Sequence, residues 1–246
     1  MLDPFLICPN AILQYSLPPP KRITCSNTYP IKTMSTRKNA TLLSSLSPTV
    51  EKLTNEFDSI PTERKELLKQ LVLFVENKVK AGQHVYLNFI CTHNSRRSHL
   101  SQIWAQAAAH YYDVPHVFCY SGGTEATAFN PRAVKAMQEA GFSITMTNEG
   151  KNPRYEVRFA DDVKAIIAFS KTYDDPFNHN KDFAAIMTCS HADENCPLVL
   201  GASVRVALTY NDPKEYDGTS LETAKYSERV HEIGRELLFA FSQVNV

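Results

Sequence analysis

Val85-Tyr86-Leu87-Asn88-Phe89-Ile90-Cys91-Thr92-His93-Asn94-Ser95-Arg96-Arg97-Ser98 is the stretch whose reading decides the fold. Its first half is an apolar, β-forming run that ends in a cysteine, and its second half is small, polar and basic. From Ser98 to Ala108 apolar residues recur near helical spacing, with no proline or glycine. The spacing predicts a strand, a short loop and a helix, with Cys91 at the strand's C-terminal end and Arg97-Ser98 at the helix N-terminus. Unpaired backbone N–H groups and the positive end of the helix dipole meet there, so the loop can hold a tetrahedral oxyanion. Arg97, in a Cys-x5-Arg spacing with Cys91, can close that cradle with a two-pronged guanidinium. The same surroundings favour the thiolate of Cys91, and Ser98 can donate a hydroxyl to its sulfur. A buried strand-end cysteine beside an ordinary basic helix cap is the plainer reading of the same residues.

Cys91-Thr92-His93-Asn94-Ser95-Arg96-Arg97-Ser98 resembles the phosphate-binding loop of the low-molecular-weight protein tyrosine phosphatases and of their relatives, the thioredoxin-coupled arsenate reductases. The resemblance runs from about residue 85 to the C-terminus. It implies a flavodoxin-like α/β fold, a Cys91 nucleophile, and an oxyanion held by residues 92–98: Thr92, His93, Asn94, Ser95, Arg96, Arg97 and Ser98. Two departures stand out. His93 occupies a place where the family usually has glycine, which demands a loop that tolerates a Cβ. Arg96 replaces a small residue or a cysteine, adding charge that could act on Cys91 or recruit a second anion. Gln102 stands where a reductase often carries glutamate, so no cation site is expected.

Length and composition bound the rest. At 246 residues, 43% hydrophobic and 21% charged, the chain is globular and long enough for one good core with an appended element. Equal numbers of basic and acidic residues, 26 each, argue against a polyanion such as nucleic acid as partner. Six irregularly spaced cysteines fit a reducing compartment, the cytoplasm, better than a secreted disulfide framework. No apolar run approaches the ~18 residues of a membrane span, so no membrane association is expected.

Taken in order, residues 1–46 read as a disordered leader: a weak transit-like segment, an upstream extension of a start at Met34, or a plain tail, the latter two preferred. Residues 47–82 read as a helical extension. Ser47-Pro48 opens one amphipathic helix, and Leu67, Leu68, Leu71, Phe74, Val75 and Val79 line a second that stops at Ala81-Gly82. Its face serves packing against the remainder or a homodimer contact, in preference to a ligand site. Residues 83–246 read as the catalytic domain. Within it His116 to Gly123 is a second strand, whose glycines permit an unusual backbone path, with Cys119 an inert core residue. Asn130-Pro131 starts a helix stopped by Gly141, Val163–Phe169 and Phe183–Thr188 are buried strands, and Leu221 to Phe241 is a closing helix. Strands alternating with helices predict a four-stranded parallel sheet wrapped on both sides, ligands at the strand C-termini.

After the fourth strand comes Cys189-Ser190-His191-Ala192-Asp193-Glu194-Asn195-Cys196-Pro197, similar to the arsenate reductase segment whose two cysteines relay oxidation away from the nucleophile. Simple phosphatases of the family lack the pair. A metal site of Cys189, His191 and Cys196 is a rival reading, weakened by the want of a fourth ligand, and a pair of inert thiols is another. Asp212 of Thr209-Tyr210-Asn211-Asp212-Pro213 matches the family's Asp-Pro acid, which protonates departing oxygen; as an isolated dipeptide it would be only a turn.

The resemblance therefore implies an arsenate reductase in which Cys189 and Cys196 form a disulfide reduced by thioredoxin or a similar reductant, without cofactor or resident metal. A phosphatase acting on phosphotyrosine or small aryl phosphates through a cysteinyl-phosphate is the close alternative. A silent oxyanion-binding redox switch is the distant one, disfavoured because it needs no acid.

Overall fold

A computed structural model describes residues 40–195 and 198–245. The expected start at Met34, the leader up to residue 39 and Cys196 lie outside them.

Among the described residues seven strands and six α-helices follow one another: α1 (Ser47–Thr54), α2 (Thr62–Lys80), β1 (Val85–Cys91), α3 (Arg97–Tyr111), β2 (Val117–Gly123), α4 (Pro131–Glu139), β3 (Ser143–Met146), β4 (Tyr155–Arg158), β5 (Ile166–Ala168), β6 (Phe183–Met187), α5 (Ser190–Asn195), β7 (Ala202–Ala207) and α6 (Glu222–Ser242). Four strands form a parallel sheet in the order β2-β1-β6-β7, as expected of an α/β domain. β1 is central and buried along its whole length except Tyr86, which is why it reads as a near-continuous apolar run. β6 sends alternate residues to opposite faces. Ala184 and Ile186 join the main core, while Phe183, Ala185 and Met187 join a smaller one with Ile90, Cys91, Cys189, Ala192 and Val199.

Two expectations need correction. The segment Val163–Phe169 is no member of this sheet: its ordered part, β5, is half-buried and pairs antiparallel with β4 in a separate three-stranded sheet, β3-β4-β5. The fourth strand of the main sheet is β7, which pairs with β6. β7 is an edge strand with only Val206 fully buried, so it lacks the apolar run that marks a central strand. The glycines of β2 also do a different job from the one expected. Neither has positive φ. A Cβ at Gly122 would run into the Tyr173 backbone, and one at Gly123 would meet Thr92 O at 2.6 Å and Asn94 N at 2.7 Å, so the glycines permit close approach rather than a special turn.

β2 is the other edge, and α3 covers it with side chains. Gln106 donates to Val117 O (3.0 Å) and accepts from Cys119 N (2.9 Å), and Gln102 donates to Cys119 O (3.0 Å). Two glutamines thus stand in for a further strand and satisfy the backbone groups that would recruit one. Cys119 is buried beneath them, and burial pushes its thiol well up from the ordinary range.

The predicted helices form where the signals lie. Pro48 opens α1; Asn130 accepts from Arg132 N (2.9 Å) to cap α4, with Pro131 in its first turn. Gly141, at φ 108, ends α4. α1 and α2 turn their apolar faces inward onto α6: Val50, Leu53, Leu68, Leu71 and Val75 belong to the same core as Leu87, Phe89 and Leu237. Packing within the chain, rather than a dimer contact, uses that face. The packed run begins before the boundary expected at residue 46: Leu42 and Leu46 are buried, and Leu43 N donates to Phe159 O at 2.9 Å. No helix among the described residues is long and apolar enough to cross a membrane.

Candidate active site

The parallel sheet brings the C-terminal ends of β1 and β6 together. Thr188, just past β6, donates both its N–H (2.7 Å) and its hydroxyl (2.9 Å) to Ile90 O. Cys91 and Cys189, each one residue beyond those contacts, consequently fall in one small apolar cluster.

Between Cys91 and α3 the loop turns its carbonyls outward. Cys91 O accepts from Thr124 N (3.1 Å), Thr92 O from Glu125 N (2.8 Å) and the Thr124 hydroxyl (3.1 Å), His93 O from the hydroxyls of Thr127 (3.1 Å) and Ser170 (3.0 Å), Ser95 O from Asn130 N (2.9 Å) and Arg96 O from Leu100 N (3.0 Å). The N–H groups of residues 92–97 have no acceptor among the described residues. A peptide's N–H and C=O point in opposite directions, so a loop with its carbonyls tied to the scaffold leaves its donors for something else.

Asn94 governs the loop's shape. It carries the left-handed conformation (φ 44), its amide donates to Ser98 Oγ (2.9 Å) and its oxygen accepts from Lys171 N (2.9 Å). Since the left-handed residue is Asn94, His93 needs no glycine-like conformation, and its imidazole points out to a 3.8 Å pairing with Glu125. Ser98 Oγ in turn lies 3.1 Å from Cys91 Sγ.

Arg97 NH2 bonds Asp212 Oδ2 at 2.7 Å and its NH1 donates to Tyr210 O at 2.9 Å, while the buried Nε has no partner among the described residues. The other oxygen of Asp212 accepts from Lys214 N (3.1 Å), capping a 3-10 turn over Pro213–Tyr216. The Asp-Pro pair is therefore a turn and an arginine partner at once. Arg96 takes a different path from either one expected. Its Nε donates to Tyr226 OH (2.6 Å) and lies 4.0 Å from Asp212 Oδ1, and its NH2 donates to Asp217 (3.3 Å), so its charge is spent on these partners.

On the far side, Cys189 Sγ accepts from Ala192 N (3.3 Å) and lies 3.5 Å from Thr92 Oγ1, which is itself 3.3 Å from His191 Nδ1. Among the described residues Cys91, Cys119 and Cys189 are free and buried. No group of three or more histidine, cysteine, aspartate or glutamate side chains there is arranged to hold a metal ion; the rival set with Cys196 reaches outside the described residues.

Behind the loop lies a group the sequence did not mark. Lys171 is 2% exposed, its ammonium 3.4 Å from Phe169 O and over the rings of Phe169 and Phe177. Burial brings its pKa down to about 8. Burial, with the charge of Lys171 nearby, also holds His99 well below the usual histidine range, leaving it neutral, stacked on Phe129 and with its Nδ1 3.3 Å from the Ser121 hydroxyl. Neither residue belongs to a motif, and only the fold of the 143–172 region brings Lys171 here.

A scan against protein-family models matches none. Among curated proteins the chain is similar to arsenate reductase of Bacillus licheniformis (33% identical over 150 residues, 61% of this chain and 89% of that one) and of Halalkalibacterium halodurans (30% over 151 residues, 61% and 89%). It is also similar to that of Bacillus subtilis (29% over 164 residues, 66% and 94%). Among solved structures it is similar to a low-molecular-weight phosphotyrosine phosphatase from Vibrio cholerae (TM-score 0.41, 12% identity, 62% of this chain and 92% of that one). YwlE of Bacillus subtilis, in a mutant form, is another (TM-score 0.41, 15%, 65% and 97%). Identity of 30% or more across nine-tenths of a relative reflects shared descent, and the chain belongs to the family of these arsenate reductases.

Proposed function

We propose that this protein reduces arsenate to arsenite with Cys91 as nucleophile and Cys189 and Cys196 as a disulfide relay. One observation carries the reading: a second thiol, Cys189, lies in the apolar cluster of Cys91 and within 3.5 Å of the loop's Thr92 hydroxyl. Hydrolysis of a cysteinyl-phosphate needs water at that spot and no second sulfur, whereas reduction needs one close by. The arsenate reductases among its relatives support the same choice.

In this mechanism the donors of residues 92–97 and Arg97 hold the oxyanion, and the unpartnered Nε of Arg97 is one donor available to it. Cys91 thiolate attacks arsenic(V), and Asp212 gives a proton to the departing oxygen, which leaves as water. Cys189 thiolate then attacks Cys91 Sγ. The electron pair of the S–As bond stays on arsenic, arsenite leaves as arsenic(III), and a Cys91–Cys189 disulfide remains. Cys196 attacks Cys189, releasing the Cys91 thiolate, and the resulting Cys189–Cys196 disulfide is reduced by a thioredoxin-type dithiol. Each turnover oxidises two thiols and reduces one arsenic by two electrons.

Arsenate-dependent NADPH oxidation with thioredoxin and thioredoxin reductase tests this, alongside hydrolysis of an aryl phosphate. Cys91→Ser, Cys189→Ser and Cys196→Ser should each abolish arsenate turnover, and Arg97→Ala should lower it about 10²–10³-fold. Arsenate turnover that survives Cys189→Ser removes the relay. Aryl phosphate hydrolysis without arsenate turnover, lost only in Cys91→Ser, would make the protein a phosphatase.

A further inference from the structure

We propose that His191 is the base that readies Cys189, through the hydroxyl of Thr92. This rests on the reading of Cys189 as a relay nucleophile, and it assigns a role to a residue that the relay itself does not require. Thr92 Oγ1 lies between the two groups, 3.5 Å from Cys189 Sγ and 3.3 Å from His191 Nδ1. The backbone that carries this hydroxyl is held in place: Thr92 O accepts from Glu125 N and from the Thr124 hydroxyl. Cys189 is 1% exposed, and the short α5 carries His191 to the surface beside it. A thiol shielded from solvent loses its proton most readily through a neighbour before it attacks, and a hydroxyl bridging to an exposed imidazole is a complete route out.

The transfer balances without an outside reactant. The Sγ proton of Cys189 passes to Thr92 Oγ1 while the hydroxyl proton of Thr92 passes to Nδ1 of an imidazole whose other nitrogen carries its hydrogen, leaving a Cys189 thiolate and a His191 imidazolium. Ala192 N, donating to Cys189 Sγ at 3.3 Å, stabilises the thiolate. The imidazolium then sheds its proton to solvent, and departing arsenite takes its own from water.

The test reads Cys189 itself, so it does not depend on arsenate. In the full chain with Cys91→Ser, the rate at which iodoacetamide alkylates Cys189 is followed at neutral pH by peptide mass spectrometry. Adding His191→Ala should slow it at least about tenfold, and millimolar imidazole should restore much of the rate. Thr92→Val should slow it too, with no rescue by imidazole because the bridge is gone. Slowing that imidazole reverses reports lost proton transfer, because added imidazole replaces a missing base and does not repair a displaced helix. An unchanged rate in His191→Ala, or a slowed rate that imidazole does not lift, overturns the proposal. The same variants assayed for arsenate turnover separate the two readings: His191-dependent alkylation in a chain that reduces no arsenate leaves the base in place and removes the reductase.

Discussion

Asn94 shows how much one residue can decide. Its φ of 44 supplies the left-handed turn, its amide holds the Ser98 hydroxyl that touches Cys91, and its oxygen satisfies the buried N–H of Lys171. Asn94→Ala should cost about 2–4 kcal/mol in urea unfolding, from an unsatisfied buried N–H and a strained backbone, and should slow turnover because the loop's donors lose their alignment. His93→Gly, by contrast, should leave stability within about 1 kcal/mol, since His93 is exposed and not left-handed. Lys171 makes a prediction with a definite sign. Its folded pKa of about 8 lies below the ordinary lysine value, so the unfolded chain binds the extra proton between pH 8 and 10.5 and stability rises with pH across that window. Below pH 8 the full cost of burying the charge is present. Lys171→Met should therefore stabilise the protein at pH 7, by up to roughly 3 kcal/mol, and the gain should vanish toward pH 10.5, as thermal unfolding at the two pH values will show.

The elements explain what the helical extension is for. Arg64 of α2 forms a two-pronged pair with Glu236 of α6 (2.9 and 2.6 Å), donates to Thr209 O (3.1 Å) and lies over the ring of Tyr210, whose hydroxyl also bonds Glu236 (2.8 Å). The extension thus clamps the segment that carries Asp212. Arg64→Ala leaves Glu236, 2% exposed, without its counter-charge and should cost about 3–5 kcal/mol. Arg64→Met with Glu236→Gln should recover most of that stability yet turn over arsenate more slowly than the unaltered protein, because the bond to Thr209 is still missing; full turnover would mean the clamp acts on stability alone. A second element contact is set by absence of a side chain. Gly234 of α6 lets Trp104 of α3 approach so closely that a Cβ would meet its ring at 2.6 Å. Gly234→Ala should destabilise by about 1–3 kcal/mol, despite alanine's better helix propensity, and calorimetry decides the sign.

At the scale of the described residues the consequence is that 47–82 and the segments that follow share one core. Leu46, Val50, Leu53, Leu68, Leu71 and Val75 share a core with Val85, Leu87, Phe89 and Ile233, so residues 47–82 are no detachable appendage. Deleting 47–80 should give a chain without a cooperative thermal transition, because it strips the buried face of α6. A deletion variant that unfolds cooperatively and still binds oxyanion would show the extension to be an accessory.

The strand-loop-helix around Cys91, the capped start of α4 and the amphipathic α1, α2 and α6 were legible in the chain because each depends on neighbours within a few residues: period, caps and propensity are local quantities. Sheet membership is not local. β7, with a single fully buried side chain, and β5, a short half-buried run, both carry weak strand signals, and which sheet each joins is decided by the partner it meets across the molecule. The same holds for Arg96, whose partners Asp217 and Tyr226 lie more than a hundred residues away, and for Lys171 and Arg64. What sequence by itself determined is the strand, loop and helix that carry residues 91–98 and the order of the thiols that follow. Which charges surround that chemistry was decided by tertiary structure alone, because a buried charge is tolerated only where distant segments meet to pair or cover it.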